Sequence, residues 1–356
     1  MEPRERVLAA LRHENTDKVP FSTGFGVNEY ARKQLAEYLG MTQAELEQKI
    51  TETRDIRFVY PQYKGPSYRF PGRDASRPDI WGVGRKPVFN GFDNYWEICK
   101  YPLAGLGEKI SLEDHEFPSV DWFDFSVLKQ RISETNSKNE YAIAAGNGNI
   151  FETSWYMTGF ENMLTLLYTE PEIVNRLLEK VADYYIAFFE RAMEASGGGI
   201  DIVFTADDIG QQNGLMMSLP MWEKFLKPHH ARLNRRLHAA GAKIMYHTDG
   251  AVMDAVEGLV DMGIDILEAL QFSARGMDPV LLKKNWGSRL CFHGGISVQS
   301  TLPFGTADDV RREVRERIEI LGKNGGYILA PSHAIQGGTP PQNIAAFFEE
   351  AGRPLK

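Results

Sequence analysis

The chain has 356 residues, 43% of them hydrophobic and 25% charged, a globular composition with enough apolar side chains for one large barrel or two ordinary domains. A net charge of −8 without any basic cluster argues against nucleic acid or an anionic membrane as the main partner. The two cysteines, Cys99 and Cys291, imply no disulfide framework, the charged N-terminus has no signal core, and no run approaches a bilayer span, so the expected compartment is the cytoplasm.

Glu2–His13 carries Val7, Leu8 and Leu11 at helical spacing, and Val19–Gly24 reads as a short strand that begins at a proline. Asn28–Leu39 and Thr42–Ile50 read as helices, the second with Thr42 as its cap and Glu45 three positions on. Arg57–Tyr60 is a further strand candidate. From 61 to about 140 the composition shifts to Pro, Gly, Arg and aromatic residues. This is the pattern of a β-hairpin-rich insertion, with Ile80–Pro87 paired to Phe89–Glu97, serving either as a lid or partner surface or as an excursion that seals the fold. Leu112–Asn136 reads as helix with loops.

From Tyr141 onward strands and helices alternate. Strand candidates Tyr141–Gly146, Asp201–Ala206, Lys243–His247, Ile264–Leu270, Leu290–His293 and Tyr327–Ala330 are each followed by a helical stretch. The helical stretch after the first of these, Trp155–Ser196, is broken near Glu170-Pro171. Such alternation indicates a parallel sheet with crossover helices, and the two N-terminal strands bring the count to about eight. The predicted fold is therefore an α/β (β/α)8 TIM barrel with N-terminal helices and the hairpin-rich insertion. A doubly wound sheet is disfavoured because no GxGxxG follows the first strand.

In such a barrel every strand delivers its last residues to one mouth. His247, Asp249, His293, His333, Asp207 and Asp208 all fall at strand ends. His247 and Asp249 are two apart in HTDG, share a face in extended backbone, and supply half of a zinc site that His333 or His293 would complete. Alternatively, His247 bonds a neighbouring strand and Asp249 caps the helix beginning near Val252. His333 suits a ligand or a general acid. Asp207 and Asp208 suit substrate orientation or proton transfer, or helix capping. Glu268, mid-strand, needs a partner such as His247, Lys243 or a metal if it faces inward. After His293, Gly294 and Gly295 offer close backbone approach and free amides for an anion, or a plain tight turn. Asn147 and Asn149 suit donors to a substrate carbonyl, or turn formers. His229 and His230 read as surface.

The opening RERVLAALRHENTDKVP, the HTDG element and the run FHGGISVQSTLPFGTADDVRREVRERIEILGKNGGYILAPSHAIQGGTPPQNI together resemble the uroporphyrinogen decarboxylase superfamily. The resemblance implies one barrel domain over 1–356, a site at the strand C-terminal ends, and a homodimer. It also implies one of two chemistries: decarboxylation of porphyrinogen acetates without a cofactor, or zinc-assisted methyl transfer to or from a corrinoid. The arginine-rich segment that holds carboxylates in the decarboxylase is replaced here by FSTGFGVNEYARKQ, with Arg32 as its one arginine. In the zinc methyltransferases the metal is held by His-x-Cys and a later cysteine; His247, Asp249 and His333 occupy those positions, with Glu268 as a further ligand, or Glu268 or His293 in support. The expected function is thus zinc-dependent methyl transfer between an oxygen-bearing, methoxylated small molecule and a corrinoid protein partner. The alternative is metal-free decarboxylation of a porphyrinogen-like or smaller carboxylate, with His333 as proton donor.

Overall fold

The computed structural model describes residues 1–138 and 140–356. Its centre is a curled sheet of seven parallel strands: β1 (Ile56–Phe58), β2 (Ala142–Asn149), β3 (Ile202–Ala206), β4 (Lys243–His247), β5 (Ile266–Ala269), β6 (Cys291–Ile296) and β7 (Tyr327–Pro331), in that spatial order. The predicted strand over Val19–Gly24 shrinks to a parallel bridge between Phe21 and Leu329. It nevertheless joins the two sheet edges. Ser22 donates to the Leu329 carbonyl at 2.9 Å on one side, and Asp55 N–H to the Phe21 carbonyl at 2.9 Å on the other. The result is a TIM-barrel-like closure with residues 20–22 in the eighth position.

Asp55 holds that seam. Its buried carboxylate accepts from the Phe21 amide at 2.8 Å, from Arg6 at 3.1 Å and from Arg353 at 2.5 Å. The interior of the barrel is lined by Ile56, Ala144, Ile202, Met245, Ile266, Cys291 and Ile328, and Val7, Ala10 and Leu11 from the helix Pro3–Leu11 pack into the same cluster. The amphipathic N-terminal helix therefore plugs one end, with Arg4 clamped on Asp201 just before β3, and the opposite end is left for the strand C-termini.

Helices Pro171–Ser196, Lys227–Ala239, Val256–Asp261, Pro279–Trp286 and Ala307–Leu321 follow β2 to β6 as crossovers, and Pro341–Glu350 follows β7. The break at Glu170-Pro171 stands as predicted, because proline is tolerated only in a first turn. The stretch starts earlier than predicted, at Ile150, and breaks a second time at Gly159, whose φ of +91° no helix interior accepts. The insertion contains one long hairpin, Gly84–Phe89 with Asn94–Lys100, so the strands lie about four residues later than the predicted pair. The turn is made by Asn90–Asp93, where the Asn90 side chain accepts from the amides of Phe92 and Asp93. Phe92, at the tip, packs on Tyr30 with ring centroids 5.6 Å apart and lies against Gly337-Gly338, beyond β7. Leu112–Asn136 is mostly irregular, with one true helix, Leu128–Thr135.

Candidate active site

Parallel register aligns three ionisable residues in one row. His247 pairs with Glu268, and Glu268 with His293, across β4, β5 and β6. His247 shares its face with Met245, which is part of the barrel interior, so the row points inward. All three are buried. His247 Nδ1 is hydrogen-bonded to Glu268 Oε2, and His293 Nδ1 lies 3.6 Å from Glu268 Oε1. Burial works against both charges, but the mutual attraction overrides it: Glu268 is held below the ordinary glutamate range and His247 is raised above the ordinary histidine range.

The Glu268 bond leaves His247 Nε2 facing the mouth. Asp208 Oδ1 is 3.7 Å from it and Asp249 Oδ2 3.9 Å. The turn after β4 depends on Gly250, with φ +86°, and is pinned where the Asp249 amide donates to Asp208 Oδ1 at 2.7 Å. Asp249 makes no cap: the next helical turn begins only at Met253. Desolvation pushes its carboxyl up to about 7, with His247 opposing and Asp208 and Glu268 adding to the rise. His333, from the far end of the sequence, arrives beyond β7. Donor atoms of His247, Asp249 and His333 lie within 4.8 Å of one another, close enough to share one cation. Burial, then the neighbouring His247, lowers the His333 pKa and favours the neutral imidazole a metal requires. The sequence placed Glu268 among the ligands; the structure places it behind His247, as the carboxylate that fixes the ring's orientation.

Over this cluster lies Phe25, which sequence reasoning missed. It stacks on His333 at 4.7 Å and meets His247 edge-on at 4.8 Å. Its position comes from Gly24 and Gly26, with φ of +53° and +88°, and the G-F-G pattern was the available signal.

The adjacent aspartates separate. Asp207 is fully buried, and its carboxylate accepts the amides of Ile150, Phe151 and Glu152 at 2.8–3.2 Å and bonds His230 Nε2 at 2.5 Å. Both of its oxygens are thus spent anchoring the helix Ile150–Thr158 at its positive end. His230, expected at the surface, is fully buried for the same reason: it is Asp207's partner. Asp208 keeps a side chain about 30% exposed at the mouth.

A second missed residue, Glu152, follows on that helix. Tyr156 donates to its Oε1 at 2.9 Å and Asn149 to its Oε2. Desolvation, reinforced by Asp208 and Asp207, raises Glu152 to about 7. Asn149 is therefore occupied within the protein. Asn147 instead sits at a bulge in β2, between Gly146 and Gly148, and faces an open cleft. Gly294 and Gly295 are neither a turn nor an anion nest. They lie inside β6, buried, and a Cβ on Gly294 would stand 2.1 Å from the Ala269 carbonyl. Gly294 serves close strand contact, and a Cβ on Gly295 would meet the Phe272 ring at 3.1 Å.

The cleft has a volume of about 360 Å³. Phe25, Phe58, Phe204 and Met245 give it apolar walls, Glu268 and His293 of the buried row border it, and so does Asn147 from β2. Arg54, a third residue missed from sequence, also lines it.

An inward-facing carboxylate–histidine row at the C-terminal end of a TIM-barrel-like sheet stands where barrels of this kind carry their ionisable groups. Residues 115–353 match the uroporphyrinogen decarboxylase (URO-D) family, and the chain belongs to it. Among curated relatives, uroporphyrinogen decarboxylase 2, chloroplastic, of Oryza sativa is 24% identical over 67% of this chain and 60% of its own length. Uroporphyrinogen decarboxylase of Hordeum vulgare is 23% identical over 67% of this chain and 70% of its own. A methyltransferase from Methanosarcina mazei superposes with a TM-score of 0.71 over 99% of this chain and 98% of its own, at 18% identity, a likeness of fold.

Proposed function

We propose that this protein is a cytoplasmic, zinc-assisted methyltransferase that moves a methyl group between a methoxylated small molecule and a corrinoid on a partner protein. The observation that carries the reading is the convergence of His247, Asp249 and His333, with Glu268 bonded to the rear nitrogen of His247. Two imidazoles and a carboxylate are a donor set that suits zinc, and the carboxylate behind a ligating histidine is the usual support for it. Bound there, zinc would act as a Lewis acid toward an oxygen of the substrate.

The chain's own residues do the rest. Phe25 covers the cluster and limits water on that side. Asn147 and the apolar walls of the cleft orient the substrate. In the demethylating direction the substrate's carbon–oxygen bond would break with a reduced corrinoid as the methyl-accepting co-substrate, and the oxygen would leave with the bonding pair and need a proton. Glu152, held near neutrality, and Asp208 are the carboxyl groups at hand for that proton.

The test is elemental analysis of the purified protein. We expect one zinc per chain, lost with activity in His247→Ala; protein free of stoichiometric metal, with His247→Ala fully active, ends this reading. The names of the curated relatives favour a second reading, metal-free decarboxylation with His333 as proton donor, which carbon dioxide release without metal or corrinoid would support. A porphyrinogen with its eight carboxylates needs more cations than Arg54 in the cleft and Arg73, within electrostatic reach of His333, provide.

A further inference from the structure

Arg54 lines the cleft without a counter-ion. It precedes β1, and among the described residues its guanidinium makes no ion pair and no side-chain hydrogen bond; Nε is buried and unpartnered. Its charged neighbours are engaged elsewhere or lie outside the cleft lining. Glu47, the carboxylate closest in influence, is taken by Arg32 at 2.8 Å. Arg57 lies flat on the Tyr141 ring at 3.9 Å. Glu268, the acid that borders the same cleft, is engaged by two histidines. A half-buried guanidinium with unmet donors is costly unless something satisfies it, and a planar bidentate anion satisfies it best.

The walls say what that anion is attached to. Phe204 meets Phe25 edge-on at 5.8 Å and Phe58 at 6.2 Å, and Phe58 stacks on Tyr60 at 6.3 Å. These rings and Met245 line the cleft, and an aromatic wall of this kind favours a flat apolar body. The same cleft is bordered by Glu268, His293 and Phe25, the residues that support and cover the His247–Asp249–His333 cluster.

We propose that Arg54 receives the carboxylate of a planar aromatic monocarboxylate, whose ether oxygen then lies toward the histidine cluster. The orientation rests on the function proposed above; the anchoring by Arg54 does not. The experiment therefore uses metal-free protein without corrinoid, so that either claim can fail while the other stands. Binding of 4-methoxybenzoate and of methoxybenzene, the same ring without the carboxylate, is measured by calorimetry on wild type, Arg54→Met and Arg54→Lys. We expect wild type to bind the carboxylate at least about tenfold more tightly than the neutral ether. Arg54→Met should lose that preference with methoxybenzene binding unchanged, and Arg54→Lys should restore part of it. Retention of methoxybenzene binding in Arg54→Met shows that the cleft is intact. The proposal is overturned if wild type binds neither probe, if it shows no preference, or if the preference survives in Arg54→Met.

Discussion

Glu268 illustrates how much one side chain decides at this site. It touches no candidate donor except His247 and His293, yet it fixes which nitrogen of His247 faces the mouth. On the zinc-site reading proposed above, Glu268→Gln should keep the fold and weaken zinc binding by roughly 10- to 100-fold, as measured by competition with a chromophoric chelator. The aspartate pair offers a sharper contrast. Asp207→Ala strands three amides and His230 without their acceptor and should cost about 3 kcal/mol or more in chemical denaturation. Asp208→Asn, at the mouth, should leave stability within about 1 kcal/mol while lowering turnover by roughly tenfold or more. Nothing in the dipeptide distinguishes these two fates. The partners that distinguish them lie 23 and 55 to 57 positions away for Asp207 and 41 for Asp208.

At the scale of elements, the strands are what local pattern encodes and their ends are what contact with neighbours adjusts. β4 runs over Lys243–His247, the residues that alternation and apolar content mark out. β6 runs on through Gly294-Gly295 to Ile296, where a glycine pair reads locally as a turn. It continues because only a residue without Cβ lets β6 approach the Ala269 carbonyl. Gly294→Ala should therefore unfold the protein at markedly lower denaturant, by about 3 kcal/mol or more. Gly91→Ala, in the open hairpin turn with φ +98°, meets nothing within 4 Å and should cost only about 1 kcal/mol. The hairpin register was likewise hidden, because Asn90 makes its turn through side-chain bonds to amides two and three residues on.

Over the whole molecule, closure gathers carboxylates at one end and the stability of the metal-free protein should record it. Burial and the neighbouring Asp208 and Asp207 raise Glu152 from 4.5 to about 7 in the folded state. Between those pH values the native state holds a proton that the unfolded chain has released, so this residue's contribution falls as pH rises through the window. Glu152→Gln removes that penalty: it should stabilise the metal-free protein more at pH 8 than at pH 5, read as a difference in denaturant midpoint. Equal effects at the two pH values would show that the carboxyl titrates as it does in water.

The order of strands and helices, the end of the barrel at which the ionisable residues gather and the histidines that reach it follow from the sequence alone, since period and strand-end position are local properties. Tertiary structure alone decided that Asp207 anchors a helix, that Glu268 stands behind His247, that His230 is buried, that Phe25 and Arg54 line the cleft and that Glu152 feels the carboxylates of the mouth. Each of those roles is set by a partner distant along the chain and adjacent only after the barrel closes, and hydrogen bonding and desolvation act through space.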